Sequence, residues 1–358
     1  MSLSLRVTTA AAIFAAAACH RAPATDVSAT SFSRIVAAEA GERHLGPIRQ
    51  ITSGGENAEA YFSADGRRLI FQSTRNGRTC DQQYVVNVDG SALRRVSSGA
   101  GKTTCGYFMD GDRRIFFAST HAADTACPPR PDPSRGYVWG LDPFDLYSAR
   151  TDGSSPRRLT SFGVYTAEGT LSPNGRTIVF TSLKDGDLDL YTMSVDGSSI
   201  RRLTTALGYD GGAFFSPDGK QIVYRAWHPT DSVELARYQG LLAQRLVRPN
   251  RMEIWIMNAD GTNQRQITSL GGANFAPFFT PDGRRIIFSS NHHTNPRAGN
   301  FDLFLVGIDG QGLEQITFDA RFDGFPQFSP DGSKLVWASN RHALNPRETN
   351  IFVAQWRP

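Results

Sequence analysis

The side chains in this sequence best suited to chemistry are imidazoles, carboxylates and thiols, and many of them recur at fixed offsets. Six times an apolar triplet is followed shortly by a basic or imidazole residue: Arg75, His121, Lys184, His228, His292 and Arg341. His293 and His342 stand one residue further on, so five of the seven histidines share this register. A second set of polar positions precedes each triplet: Asn57, Glu59, Thr103, Glu168, Asp210, Asn274 and Asp323. Imidazoles from neighbouring segments, here His228 and His292, suit a divalent metal oriented by adjacent carboxylates. The same mixture of charges suits an anionic or sugar-like ligand. The competing expectation is that the two sets pair with one another across a solvated rim.

These residues share a register because the chain is a repeat. The segments YFSADGRRLIF (61–71), TLSPNGRTIVF (170–180), FFSPDGKQIVY (214–224), FFTPDGRRIIF (278–288) and QFSPDGSKLVW (327–337) are one motif, and YFMDGDRRIFF (107–117) is a degenerate copy. After five of them comes a second motif, as in RTDGSSPRRLT and SVDGSSIRRLT. In S-P-D-G, proline presets φ, aspartate closes the turn through its side chain and glycine accepts positive φ. The period of about 45 residues, lengthened by two insertions, suits a four-stranded propeller blade. The last copy stops without its D-G turn and fourth strand, whereas GPIRQITSG (46–54) reads as a fourth strand ahead of the first copy. The predicted fold is therefore all-β: a six-bladed β-propeller of four-stranded antiparallel blades over 43–358, closed by an N-terminal strand that completes the last blade. In such a ring the two polar sets fall on one face, around the channel mouth.

Both insertions belong to that face. Residues 121–144 are proline-rich and carry Cys127; residues 229–251 predict a helix over 232–247, capped by Asp231 or Ser232, with Leu235, Tyr238, Leu242 and Leu246 as its apolar stripe. A further column, Gln82, Asp145, Asp189, Glu253, Asp302 and Asn350, recurs in every blade. Its recurrence points to blade construction, since a functional site would break the symmetry.

Composition narrows the function classes. The 358 residues carry 38 Lys+Arg against 34 Asp+Glu, with no basic run, which excludes an electrostatic nucleic-acid binder. The 34 glycines and 19 prolines match turn-rich architecture. Residues 7–18 are apolar, too short to span a bilayer but suited to a signal peptide over 1–18. Ala16-Ala17-Ala18-Cys19 resembles a lipoprotein cleavage site, which would make Cys19 a lipid anchor and the only membrane attachment; ordinary secretory cleavage is the alternative. Residues 19–42 read as a flexible tether. In an oxidising compartment the remaining thiols predict one disulfide and one free cysteine: Cys80–Cys105 stapling adjacent blades, with Cys105–Cys127 as the rival pairing.

The repeated S-P-D-G and D-G-x-x-x-R-x-L-T segments resemble the TolB-like, WD-repeat-like β-propeller family of exported bacterial proteins, over about residues 43–358. The chain departs from TolB in lacking its N-terminal α/β domain. The resemblance implies a periplasmic or membrane-anchored monomer that binds an envelope protein or a small polar ligand through its channel face. Peptidases with similar propellers carry a G-x-S-x-G nucleophile elbow, which is absent here, as are cofactor and phosphate-loop fingerprints. Oligogalacturonate lyases are also similar propellers, and they imply the alternative: a metal-assisted lyase or hydrolase acting on saccharides at the histidine-bearing mouth.

Overall fold

The computed structural model describes residues 32–294 and 299–358. The signal segment and Cys19 lie outside the described residues. Six antiparallel sheets form the blades, numbered 1–6 from residue 56, with strands A–D from the channel outward. The six A strands are Glu56–Phe62, Thr103–Met109, Thr166–Leu171, Tyr209–Phe215, Asn274–Phe279 and Asp323–Phe328. Blade 6 closes the ring as the sequence predicts: its fourth strand is Leu45–Gln50, pairing Leu45 with Trp356 and Gln50 with Phe352. Part of the segment predicted as tether is also built in, because Arg34–Val36 adds a fifth strand outside Leu45–Gln50. Among the described residues no helix is long and apolar enough to cross a membrane.

The strand B triplets, such as Leu69-Ile70-Phe71 and Ile286-Ile287-Phe288, are fully buried and pack blade against blade. Burial of these triplets stabilises the ring at roughly 25 cal/mol per Å² of apolar surface removed from water. The strand C column does build the blades. In each blade a Ser or Thr two residues past strand D accepts the second strand C N–H and donates to the column residue, as in Leu146 N–H to Thr160 (2.9 Å) and Thr160 to Asp145 (3.1 Å). The same tie links Ser97 to Gln82, Thr204 to Asp189, Thr268 to Glu253, Thr317 to Asp302 and Thr52 to Asn350.

Every A strand carries a bulge at one level, where the register with strand B slips. The bulge residue takes positive φ: Glu59 (+52°), Cys105 (+51°), Glu168 (+56°), Gly212 (+60°), Ala276 (+51°) and Phe325 (+58°). A bulge of this kind re-aims one side chain per strand. Repetition in six blades makes it an architectural device that presents one residue per blade at a single level of the channel.

The two insertions meet. Trp139–Gly140 of blade 2 pairs with Leu246–Val247 of blade 4 in a two-stranded ribbon across blade 3. The predicted helix is therefore shorter, Ser232–Leu242, because Leu246 and Val247 are drawn into this ribbon. Asp231 caps it by accepting from the N–H groups of Val233 and Glu234. Of the predicted stripe, Tyr238 is the residue fully buried, anchored by its hydroxyl on Asp187 and the Gly208 carbonyl.

Candidate functional site

The strands and insertions enclose a cavity of about 720 Å³ at the channel mouth. Its floor is the bulge ring, from which Glu59, Cys105, Glu168 and Phe325 face inward. Its roof is the blade 2 insertion, including Pro128–Pro131 and Tyr137–Leu141, and Lys102 and Asp81 stand at its side. The roof is stapled to blade 1 by a Cys80–Cys127 disulfide, and Cys105 is the free, buried thiol. This corrects both predicted pairings. Cys105 takes the bulge position of its blade and turns into the channel, whereas the insertion carries Cys127 back over blade 1.

One side of the floor is a charged network. Glu168 accepts hydrogen bonds from Thr181 (2.7 Å), the Gly212 N–H (2.8 Å), Tyr209 and Arg225. The Arg225 guanidinium is buried, donates to the Tyr209 hydroxyl at 2.6 Å, and lies between the rings of Trp139 (5.1 Å) and Tyr209 (5.4 Å). Blade 4 has glycine at the bulge because Arg225 fills that space: a Cβ on Gly212 would overlap its Nη1. The opposite side is aromatic, with Phe275, Phe322 and Phe325 packed ring against ring.

Glu59 differs from Glu168. Its Oε2 is shut off from solvent and has no hydrogen-bond partner among the described residues. Burial pushes its carboxyl up to about 7; the Cys105 thiol and Arg225 pull the other way, while Glu168 and Asp81 add to the rise. Burial likewise raises Asp81, against the hydrogen bond it accepts from Thr74. Cys105 is pushed well above an ordinary thiol by burial and by the nearby Glu59 and Glu168 carboxylates, which keeps it neutral and a poor nucleophile.

The structure divides the residues predicted from sequence. Glu59 and Glu168 reach the cavity wall. The basic column does not: each member sits over an aromatic ring of strand C, further from the channel axis. His121 packs on Tyr147 (4.3 Å), His228 on Trp255 (5.2 Å) and His292 on Phe304 (4.6 Å), while Arg75 covers Tyr84, Lys184 Tyr191 and Arg341 Phe352. Asp210 and Asp323 lie inside their blades, where Asp210 holds His228 at 3.1 Å and Asp323 holds Arg341 at 2.8 Å. Burial works against the charge on His228, but the Asp210 contact prevails and raises its pKa. Arg341 is also paired with Glu42 at 2.8 Å, with all three side chains sealed from solvent. Glu42 thus docks the end of the predicted tether between blades. His293 is engaged by Asp302 at 2.7 Å.

The metal expectation for His228 and His292 loses its geometry, since each imidazole is seated on its own aromatic. Among the described residues no group of three or more His, Cys, Asp or Glu converges as a metal ion requires. Arg225 and Trp139 escaped the sequence reading. A signal was present: Arg225 is the one charged residue in its strand B column (Gln72, Ala118, Thr181, Arg225, Ser289, Ala338), and it faces the pair Gly211-Gly212.

Residues 248–347 match the family described as TolB beta propeller domain. The chain folds as a TolB-like six-bladed β-propeller. Its fold is similar to that of a TolB from Agrobacterium tumefaciens described as putative (TM-score 0.56, 20% identity, covering 85% of this chain and 91% of that one). It is also similar to TolB from Acinetobacter baumannii (0.54, 16%, 84% of this chain and 63% of that one). A third similar fold is oligogalacturonate lyase from Vibrio parahaemolyticus (0.52, 12%, 92% and 98%). At these identities the likeness establishes the TolB-like fold and nothing finer. No curated protein matches the chain in sequence.

Proposed function

We propose that this TolB-like propeller is an exported, non-enzymatic binding scaffold of the bacterial cell envelope that takes its partner or ligand at the channel mouth. The observation that carries this reading is the roofed cavity of about 720 Å³, a volume suited to a small molecule or the end of a peptide. The Cys80–Cys127 disulfide supports export, because such a bond persists in oxidising compartments. The similar TolB folds support an envelope setting by analogy of fold. The Cys105 thiol is held neutral and Glu168 is paired internally with Arg225, so neither is an activated nucleophile.

The test is a photo-crosslinking residue placed at Tyr137, which is 71% exposed beside the cavity, in the protein expressed in its host and fractionated. We expect export and a discrete adduct at Tyr137, and none from the same residue placed at the exposed Leu313 of blade 5. Adducts of equal yield at both positions, or retention in the cytoplasm, would refute the proposal.

A further inference from the structure

We infer that the cavity binds an organic ammonium group carried on an apolar body, with Glu59 as counter-ion and the blade 5 and 6 phenylalanines as its seat. This rests on the channel mouth being the binding face and names the ligand chemistry that face selects. The cations around the cavity are already matched. Arg225 is held by Glu168, Lys102 by Asp142 at 3.3 Å, and Arg130 by Glu56 at 3.1 Å. Glu59 has no such cation partner, and one of its oxygens is sealed off without any hydrogen bond. A buried acceptor left unsatisfied is costly, so a donor arriving with the ligand gains more here than on an open surface.

The neighbouring surface fixes the rest of the ligand. In the bulge ring Glu59 stands between Cys105 of blade 2 and Phe325 of blade 6, so the unmatched carboxylate directly adjoins the aromatic side. An ammonium beside Glu59 is also placed for attraction to ring faces, while Phe275 and Phe322 cover an apolar body. An anion would meet Glu59, Asp81 and Glu168 together, and a neutral sugar would leave the carboxylate uncompensated. The ammonium can come from a small amine or from the α-amino end of a peptide with an aromatic first residue.

The groups facing Glu59 are Tyr61 on its own strand, Cys105 of blade 2, Glu168 of blade 3, Arg225 of blade 4 and Asp81 ahead of strand C of blade 1. Ligand binding should therefore favour the ionised carboxylate and strengthen between pH 5.5 and pH 8.

The experiment is titration calorimetry on the full exported chain with phenethylamine, phenethyl alcohol and phenylacetate, and with Phe-Gly-Gly in free and N-acetylated forms. We expect phenethylamine to bind at least tenfold more tightly than the alcohol at pH 8, and phenylacetate more weakly still. Glu59→Gln should abolish that preference, and Phe325→Ala should weaken amine and alcohol alike. Binding of free but not acetylated Phe-Gly-Gly also supports the inference and assigns the ammonium to a chain end. Equal binding of amine and alcohol, or a preference that survives Glu59→Gln, overturns it. A Tyr137 adduct formed in cells by a protein that ignores every ammonium probe overturns this ligand class while leaving the channel as the binding face.

Discussion

Replacing Glu59 by glutamine should stabilise the protein, and by an amount that depends on pH. The Glu59 carboxyl titrates near 7 in the folded protein against about 4.5 unfolded, chiefly through burial. A carboxyl raised on folding holds its proton longer in the native state, so native stability is greatest at low pH and is lost as pH rises from about 4.5 through 7. With 1.36 kcal/mol per pKa unit, ionised Glu59 costs about 3 kcal/mol at pH 8, about 2 kcal/mol near pH 6 and almost nothing by pH 4. Glutamine keeps the shape and cannot ionise, so the gain from Glu59→Gln should follow that curve. Urea denaturation of both proteins at pH 4, 6 and 8 measures it directly. Asp81 is raised in the same direction, so the wild-type curve carries both groups, and the difference between the two proteins carries Glu59 together with its coupling to Asp81. A gain that is flat with pH, or a loss at pH 8, would refute the claim that this carboxylate is buried without compensation.

The remaining predictions concern the frame around that site. Arg341→Met leaves Glu42 and Asp323 buried without a cation and should cost about 3–5 kcal/mol at neutral pH, with the 32–42 segment becoming sensitive to limited proteolysis. Gly212→Ala should displace Arg225 from Glu168 and destabilise by about 2–4 kcal/mol, and Gly212→Ala paired with Arg225→Ala should recover part of that loss. Reducing Cys80–Cys127 should lower stability by up to about 4 kcal/mol on loop entropy and expose the roof, read as a change in tryptophan fluorescence from Trp139. Cys105 should stay unreactive toward a thiol reagent in the native protein and react once it is unfolded, read as the thiol count.

Sequence disclosed the ring because its signals are local and copied. S-P-D-G turns, strand B triplets and the strand C column each report a contact that recurs in every blade. The strand left over before Glu56 and the strand missing after Trp356 even showed how the ends would join. The site was less legible because it depends on departures from the repeat. The bulge inserts one residue into each A strand and turns that residue to the channel, so Glu59 and Glu168 reach the cavity while Asp210 and Asp323, ahead of the bulge at the start of strand A, lie inside the blades. The basic column shares a face with the channel but not its axis, and only the partner rings on strand C reveal that. The disulfide was missed for a different reason: Cys127 lies in an insertion whose path follows from its ribbon with a second insertion, a contact between blades 2 and 4.

The seam in blade 6 also sets the order in which the ring can be made. Blades 1 to 5 are each assembled from one continuous stretch of chain and can form from contacts close in sequence. Blade 6 needs Leu45–Gln50 beside Asn350–Trp356, the strand pairing most distant in sequence among the described residues. The entropy of closing so long a loop grows only slowly with length, but contacts this remote slow folding. On a growing or translocating chain, closure must wait for the final strand. The Arg341 pocket that receives Glu42 cannot be complete before then, so the docked N-terminal segment is a late marker of a finished ring.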